Sequence, residues 1–293
     1  MGAGFLVRKF RVLTEKSIGE LVNFLLIIVN PCLIIYAFNR PYDPSMMRGF
    51  EIAFVFAMVM HLILIALVAF SFRWGSPARD VVLKTAAAFS NAGFIGIPLE
   101  QAILGTAGVF YGAAYIAVFN IFMWSWGLGI NRNGRFTVSR QMILNPGMIA
   151  VIVGAVVFFL PWDLPVVIGK PVEMLAAMNT PIAMAVIGYY LAGAKFKAVL
   201  KVPAAHFAFF IRLVISPLIA IALLWLLKDL LDLDRTMMLA VVIPASAPAA
   251  AMVSMFAAKY NRDVDMSVAL VSGTTLFSLL TMPLLVALAM HVL

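Results

Sequence analysis

The sequence predicts an all-α integral membrane protein that contains two interrupted helices. Of its 293 residues, 64% are hydrophobic and only 12% are charged, and the mean hydropathy is +1.06. No single water-soluble core buries that much apolar surface, so the composition indicates a bilayer. Two apolar segments about 150 residues apart contain helix breakers, NAGFIGIPLEQAILG at 91–105 and VIPASAPAAAMVSMF at 242–256. At membrane depth, such interruptions survive only where protein or a water-filled cavity surrounds the backbone.

Apolar segments long enough to cross a membrane recur along the chain. A spanning helix needs roughly 20 mostly apolar residues, and by that criterion we predict nine spans. Their approximate limits are 21–38, 50–72, 83–104, 108–130, 146–161, 172–193, 203–227, 236–257 and 266–292. The segment 1–20 contains too few apolar residues for a span or a signal peptide. We interpret it as the tail of a truncated first helix followed by a cytoplasmic connection.

The basic residues lie in short clusters between the apolar segments and predict the orientation. Assigned to alternate sides, 15 Lys and Arg fall on one side and 5 on the other. The positive-inside rule makes the first side cytoplasmic and predicts a multi-pass protein of the plasma (inner) membrane with its C-terminus outside. The same clustering argues against nucleic-acid binding, because no continuous basic face exists. Cys32 is the only cysteine, which excludes an intrachain disulfide and a thiolate metal site.

The two halves of the chain correspond when one is shifted onto the other. A shift of 150 or 154 positions gives these pairs: Pro31 with Pro181, Pro98 with Pro248, Asn120 with Thr274, and Ser90 with Pro244. The interrupted segments are the third and eighth spans, so the halves cross the membrane in opposite directions. We predict an inverted repeat, with a first repeat at 21–130, a cytoplasmic connection at 131–145 and a second repeat at 146–293. Paired broken helices in such halves mark a transport site.

The interrupted segments supply candidate binding residues. Asn91 offers two donors and an acceptor beside half-helix N-termini, a combination suited to a carboxylate, although it could instead hold a neighbouring helix. Ser246 could donate its hydroxyl to the same ligand or to its own helix. The residues expected to shape the backbone of the interruptions are Ser90, Gly93, Gly96, Pro98, Pro244 and Pro248.

Two charged residues lie deep within predicted spans, where charge is costly. Arg212 could attract an anion or balance an acid, or its long stem could reach the interface. Glu100 could couple transport to a proton, or simply face a cavity or the interface. His61, His206 and His291 lack metal-ligand spacing, and the sequence contains no GxSxG, HExxH or P-loop pattern. We therefore expect neither an enzyme nor a bound cofactor or metal.

The motif NAGFIGIPL resembles the fourth-helix motif of the auxin efflux carrier family, with Asn91 seven residues before Pro98. Further similar stretches are LTEKSIGELVNFLLIIVNPCLI, FNIFMWSWG, LNPGMIAVIVG, IRLVISPLIA and IPASAPAAAMVSMFAAKYNRD. The resemblance implies a ten-helix fold of two inverted five-helix repeats, whose broken helices cross at a site open alternately to either side. It also implies a homodimer and places Asn120 in the helix after the crossing, where it could line the site or hold neighbouring helices. Plant members carry proline where this chain has Ser90, so we expect unwinding through Gly93 and Gly96 instead.

Bacterial relatives in this family carry malate and malonate, and plant relatives export the indole acid auxin. The sequence therefore predicts a secondary active transporter of a small organic anion, a carboxylate such as malate or malonate or an aromatic acid. Because no ATP-binding motif is present, a gradient of substrate, protons or sodium ions would drive it. The alternatives are a uniporter or channel-like facilitator, and a membrane receptor that does not transport.

Overall fold

The computed structural model describes residues 1–72, 76–132, 134–160, 164–193 and 202–293, and its regular elements there are helices. In chain order they are α1 Gly2–Lys9, α2 Glu15–Phe38, α3 Pro44–Ser71, α4 Pro77–Ala88, α5 Ala92–Arg132, α6 Gln141–Leu144, α7 Pro146–Phe159, α8 Val166–Ala177, α9 Asn179–Leu191, α10 Pro203–Leu231, α11 Arg235–Ser246, α12 Met252–Lys259 and α13 Val264–Val292. Of the basic residues counted for the orientation, Arg73, Lys195, Lys197 and Lys201 lie outside the described residues, as does position 161 of the fifth predicted span.

The helices coincide with the predicted spans but extend beyond several of them. Each of the nine predicted spans overlaps at least one helix. In the described part of the chain, six helical segments are long and apolar enough to cross a membrane, and α7 and α11 are shorter apolar helices. The helix α2 begins at Glu15 rather than at 21, because Thr14 caps it by accepting a hydrogen bond from the Ser17 N–H at 3.1 Å. The all-helical membrane fold predicted from the composition is therefore confirmed.

Acidic and amide side chains cap several helices at their N-termini, where backbone N–H groups lack partners inside the helix. Asp43 accepts from the Ser45 N–H at 2.8 Å and Asp234 accepts from the Met237 N–H at 2.8 Å. Asp263 caps α13 in the same way. These carboxylates end connections and begin helices, so their positions in the sequence reflect helix capping.

Helix α5 reverses its direction at Gly105. The backbone there has φ +66° and ψ −156°, a conformation that only glycine adopts without strain. In a straight helix, Glu100 and Gly112 would lie about 18 Å apart. Instead, a Cβ placed on Gly112 would overlap the carboxylate of Glu100. The segment 92–104 is therefore an arm that packs antiparallel to 106–132, as the separate predicted spans 83–104 and 108–130 require.

The centre of the molecule is formed by the long arm of α5 and by α11. Every residue of α11 from Met237 to Ser246 is buried, and so is every residue of α5 from Gly108 to Asn120. Both helices are apolar around their whole circumference, which is typical of a helix enclosed by other helices. The two interruptions of the sequence thus lie in the interior of the bundle, adjacent to its most buried elements.

Candidate functional site

The chain is extended at two places that face each other. Residues 89–91 separate α4 from α5, and residues 247–251 separate α11 from α12. Ser90 and Ala249 form an isolated antiparallel bridge. Beside it the Asn91 N–H donates to the Pro248 carbonyl at 2.7 Å, and the Ala250 N–H donates to the Phe89 carbonyl at 3.0 Å. The backbone groups freed by one break are satisfied by the other, as membrane depth demands.

A side chain of a neighbouring helix satisfies one further backbone group at the crossing. The Ala249 N–H donates to the Thr274 hydroxyl at 3.1 Å. Gly96 lies against Pro244, and a Cβ on Gly96 would come within 3.3 Å of the Pro244 Cβ. That separation is tighter than an ordinary contact between carbon atoms. Glycine at position 96 therefore lets the two interrupted helices approach closely.

A cavity of about 510 Å³ opens beside the crossing. Its polar lining consists of amides, hydroxyls and ring N–H groups: Asn23, Asn30, Asn91, Asn120, Trp124, Asn145, Tyr190, Ser254, Ser272 and Thr275. The rest of the wall is mainly apolar and includes Phe94, Ile95, Ile97, Ile116 and Phe119. Cavities of this size and character bind small organic molecules, with a few polar groups fixing their orientation.

The N-termini of two half-helices also face this cavity. Asn91 and Gly93, at the start of α5, line it, and so do Ala251 and Met252 at the start of α12. The first N–H groups of a helix have no partner within the helix and carry partial positive charge. Two such ends at one cavity are an arrangement that favours negative charge.

Asn91 is the predicted headgroup ligand, and its side chain is available. Its backbone carbonyl accepts from the N–H groups of Ile95 and Gly96 at 3.0 and 3.2 Å, which fixes the residue at the start of the π-helical turn Ala92–Gly96. Asn91 lines the cavity, and its carboxamide forms no hydrogen bond with the described part of the chain. Asn120 also lines the cavity, while its Nδ2 donates to the Ile116 carbonyl at 2.9 Å.

Asn30, which was not among the residues predicted from the sequence, supports the first interruption. Its Nδ2 donates to the Gly93 carbonyl at 2.9 Å, and its Oδ1 accepts from Nδ2 of Asn179. In the π-helical turn, Gly93 would bond to the residue five positions later, which is Pro98 and has no N–H. Asn30 thus replaces the missing donor. The signal was the pairing of Pro31 with Pro181, since an asparagine lies one or two residues before each proline.

Two predicted ligand residues are turned away from the cavity. Ser246 is fully buried, and its hydroxyl donates to the Val242 carbonyl of its own helix at 2.7 Å. This is the local bond that a helical serine readily forms. Arg212 is also fully buried and does not line the cavity, because carbonyl groups and the Ser216 hydroxyl engage its guanidinium. The structure therefore does not bring either residue to the ligand position predicted for it.

Glu100 lies outside the cavity. Its side chain is buried, its carboxylate packs against Gly112, and its Oε2 has no hydrogen-bond partner among the described residues. The hydroxyl of Ser90 is likewise buried without a partner there. The carbonyl of Pro98 accepts from the Thr180 hydroxyl at 3.3 Å. The Thr180 bond links the first arm of α5 to α9.

A helical membrane protein whose interrupted helices cross beside a cavity has the architecture of a transporter. Residues 1–141 and 132–286 match the family described as "Membrane transport protein". An uncharacterized transporter of Methanothermobacter thermautotrophicus is similar, with 26% identity over 289 residues that cover 96% of this chain and 92% of the relative. The chain belongs to this family, which confirms its resemblance to auxin efflux carriers. It is a membrane transporter and not an enzyme.

Proposed function

We propose that this transporter carries a small organic anion by alternating access at the crossing of its interrupted helices. The observation that supports this function is the meeting of two half-helix N-termini with the free carboxamide of Asn91 in one cavity. Partial positive charge and neutral N–H donors bind a carboxylate without a full countercharge. An anion held in this way leaves more readily than one paired with a buried arginine or lysine.

The lining of the cavity favours one part of the predicted substrate range. Malate and malonate carry two carboxylates, and the second would lie against a wall formed mainly by Phe94, Ile97, Phe119 and similar side chains. Burial of a charge in apolar surroundings without a partner is strongly unfavourable. An aromatic or otherwise apolar monocarboxylate places its body against that wall and its single charge at Asn91. We therefore propose this class in preference to dicarboxylates.

The predicted ten-helix inverted repeat is part of the proposal, and so are the plasma-membrane location, the external C-terminus and the homodimer. The equivalent placement of the α4–α5 and α11–α12 breaks supports two related halves. For coupling, we propose a proton or sodium gradient, with Glu100 as the proton site. A uniporter is the second candidate, because the side chains that line the cavity are neutral.

Uptake into proteoliposomes tests the proposal. We expect purified protein to take up radiolabelled benzoate, and Asn91→Ala to raise the KM about 10- to 150-fold, since a hydrogen bond to a charged group contributes about 1.5–3 kcal/mol. Gln141→Ala is the control, because Gln141 is an exposed amide that does not line the cavity. Specific binding without flux would identify a receptor. Flux that follows only the benzoate gradient would identify the uniporter.

A further inference from the structure

Arg212 contacts both interrupted helices at once. It lies in the π-helical turn Ile211–Ile215 of α10, and its Nη1 donates to the Ala88 carbonyl at 3.1 Å. Its Nη2 donates to the Ala245 carbonyl and, at 2.6 Å, to the hydroxyl of Ser216. The Ser216 hydroxyl lies 3.2 Å from the Ala245 carbonyl, to which it donates in turn. Turns of this type are frequent at functional positions in helices.

Both carbonyl acceptors belong to helix C-termini. Helix α4 ends at Ala88, and α11 ends at Ser246, one residue after Ala245. The last carbonyls of a helix lack partners within the helix and carry roughly half a negative charge. The two helix ends that converge on Arg212 therefore carry about one negative charge in total. The guanidinium carries one positive charge, and none of the ion pairs found among the described residues involves it.

We propose that Arg212 is a positioning residue, whose single charge joins and neutralises the C-termini of the two half-helices at the crossing. The same guanidinium then fixes the geometry of the crossing and keeps negative potential away from the cavity. Ala88 is three residues before Asn91, so an uncompensated negative end would lie close to the anion. The part of this proposal that concerns anion affinity rests on the proposed function. The part that concerns stability does not.

Three substitutions separate charge from hydrogen bonding. Arg212→Lys keeps the charge, Arg212→Gln keeps a donor without charge, and Arg212→Met keeps only the apolar stem. The matched control is Arg48→Gln, since Arg48 Nη2 donates to the C-terminal carbonyl of α10 at Leu231, at 3.3 Å, on the protein surface. An exposed contact of that kind contributes little. The measurements are the melting temperature in detergent and the KM and maximal rate for benzoate uptake.

We expect Arg212→Lys to stay within about threefold of the wild-type KM and within a few degrees of its melting temperature. Arg212→Gln and Arg212→Met should both melt clearly lower and raise the KM at least tenfold, whereas Arg48→Gln should resemble the wild type. Wild-type melting in Arg212→Gln or Arg212→Met would overturn the proposal. So would a raised KM in all three variants with unchanged melting, because that result identifies a direct ligand.

The design keeps the two proposals apart. If the wild type takes up no benzoate, the proposed substrate class fails, and the order of melting temperatures still tests Arg212. If the Gln and Met variants do not fold, Arg212→Lys decides alone. A Lys variant that folds and melts like the wild type supports the role of charge, and one that also fails to fold refutes it.

Discussion

Replacement of Asn30 by alanine removes the side chain that supports the first interrupted helix. The Gly93 carbonyl loses its donor, and Nδ2 of Asn179 loses its acceptor. These two groups differ in their access to water. Gly93 lines the cavity and can be hydrated there, whereas Asn179 is fully buried. The penalty therefore falls mainly on Asn179.

The size of the effect follows from that difference. A buried polar group without a partner costs about 1–3 kcal/mol, while interhelical hydrogen bonds in membranes contribute about 0.6 kcal/mol on average. We expect Asn30→Ala to lower the free energy of unfolding by about 1–3 kcal/mol, because it leaves Asn179 unpaired. We expect Asn179→Ala to cost about 0.6–1.7 kcal/mol, because it removes one interhelical bond and leaves Asn30 bound to Gly93.

A double-mutant cycle measures whether the two amides act as a pair. Unfolding of the single and double variants in mixed micelles, followed by the fluorescence of the 5 tryptophans, gives the four free energies. The double variant should cost less than the sum of the single variants by about 0.5–1.5 kcal/mol, since the pair is lost only once. Strictly additive losses would refute the pairing. Asn23→Ala is the control and should change stability by less than about 0.5 kcal/mol.

Two further substitutions test the reversal of α5 and the proposed coupling. Gly112→Ala should destabilise the protein by about 1–3 kcal/mol, because its Cβ would overlap the Glu100 carboxylate. The control is Gly19→Ala in α2, where the added Cβ meets open space. It should be neutral or stabilising in the same unfolding assay. Glu100→Gln should abolish the response of benzoate uptake to an imposed pH gradient and leave flux along the benzoate gradient intact. A response equal to that of the wild type would reject Glu100 as the proton site.

The positions of the helices and of their interruptions could be predicted from the sequence because both have local causes. Apolar length sets where a helix lies, and proline or glycine sets where its hydrogen bonding stops. The separate spans predicted at 83–104 and 108–130 agree with the reversal at Gly105. The unwinding predicted through Gly93 and Gly96 is wrong, because these residues form a π-helical turn and the extended break lies at 89–91. Helix ends were less predictable, since α2 begins at a cap, Thr14, that lies outside the apolar run.

The partners of the polar residues could not be predicted in the same way. Arg212 binds carbonyls 124 and 33 residues away, and a backbone carbonyl has no sequence signature. A buried arginine therefore suggested an anion or an acid as its partner, whereas the structure supplies two helix ends. Asn30 was not predicted as a site residue because, on its own, it suggested no special role. It is one amide within a long apolar run, and such residues usually join neighbouring helices.

In the proposed function, the two ends of the half-helices account for an anion site without charged side chains. Their N-termini line the cavity, where we propose that partial positive charge and the Asn91 amide bind the carboxylate. Their C-termini face Arg212, which offsets the charge that would otherwise repel the same carboxylate. If the arginine lay in the cavity instead, it would bind the anion more tightly and also slow its release. Because transport requires both binding and release, a positive charge is more useful behind the crossing than beside the substrate.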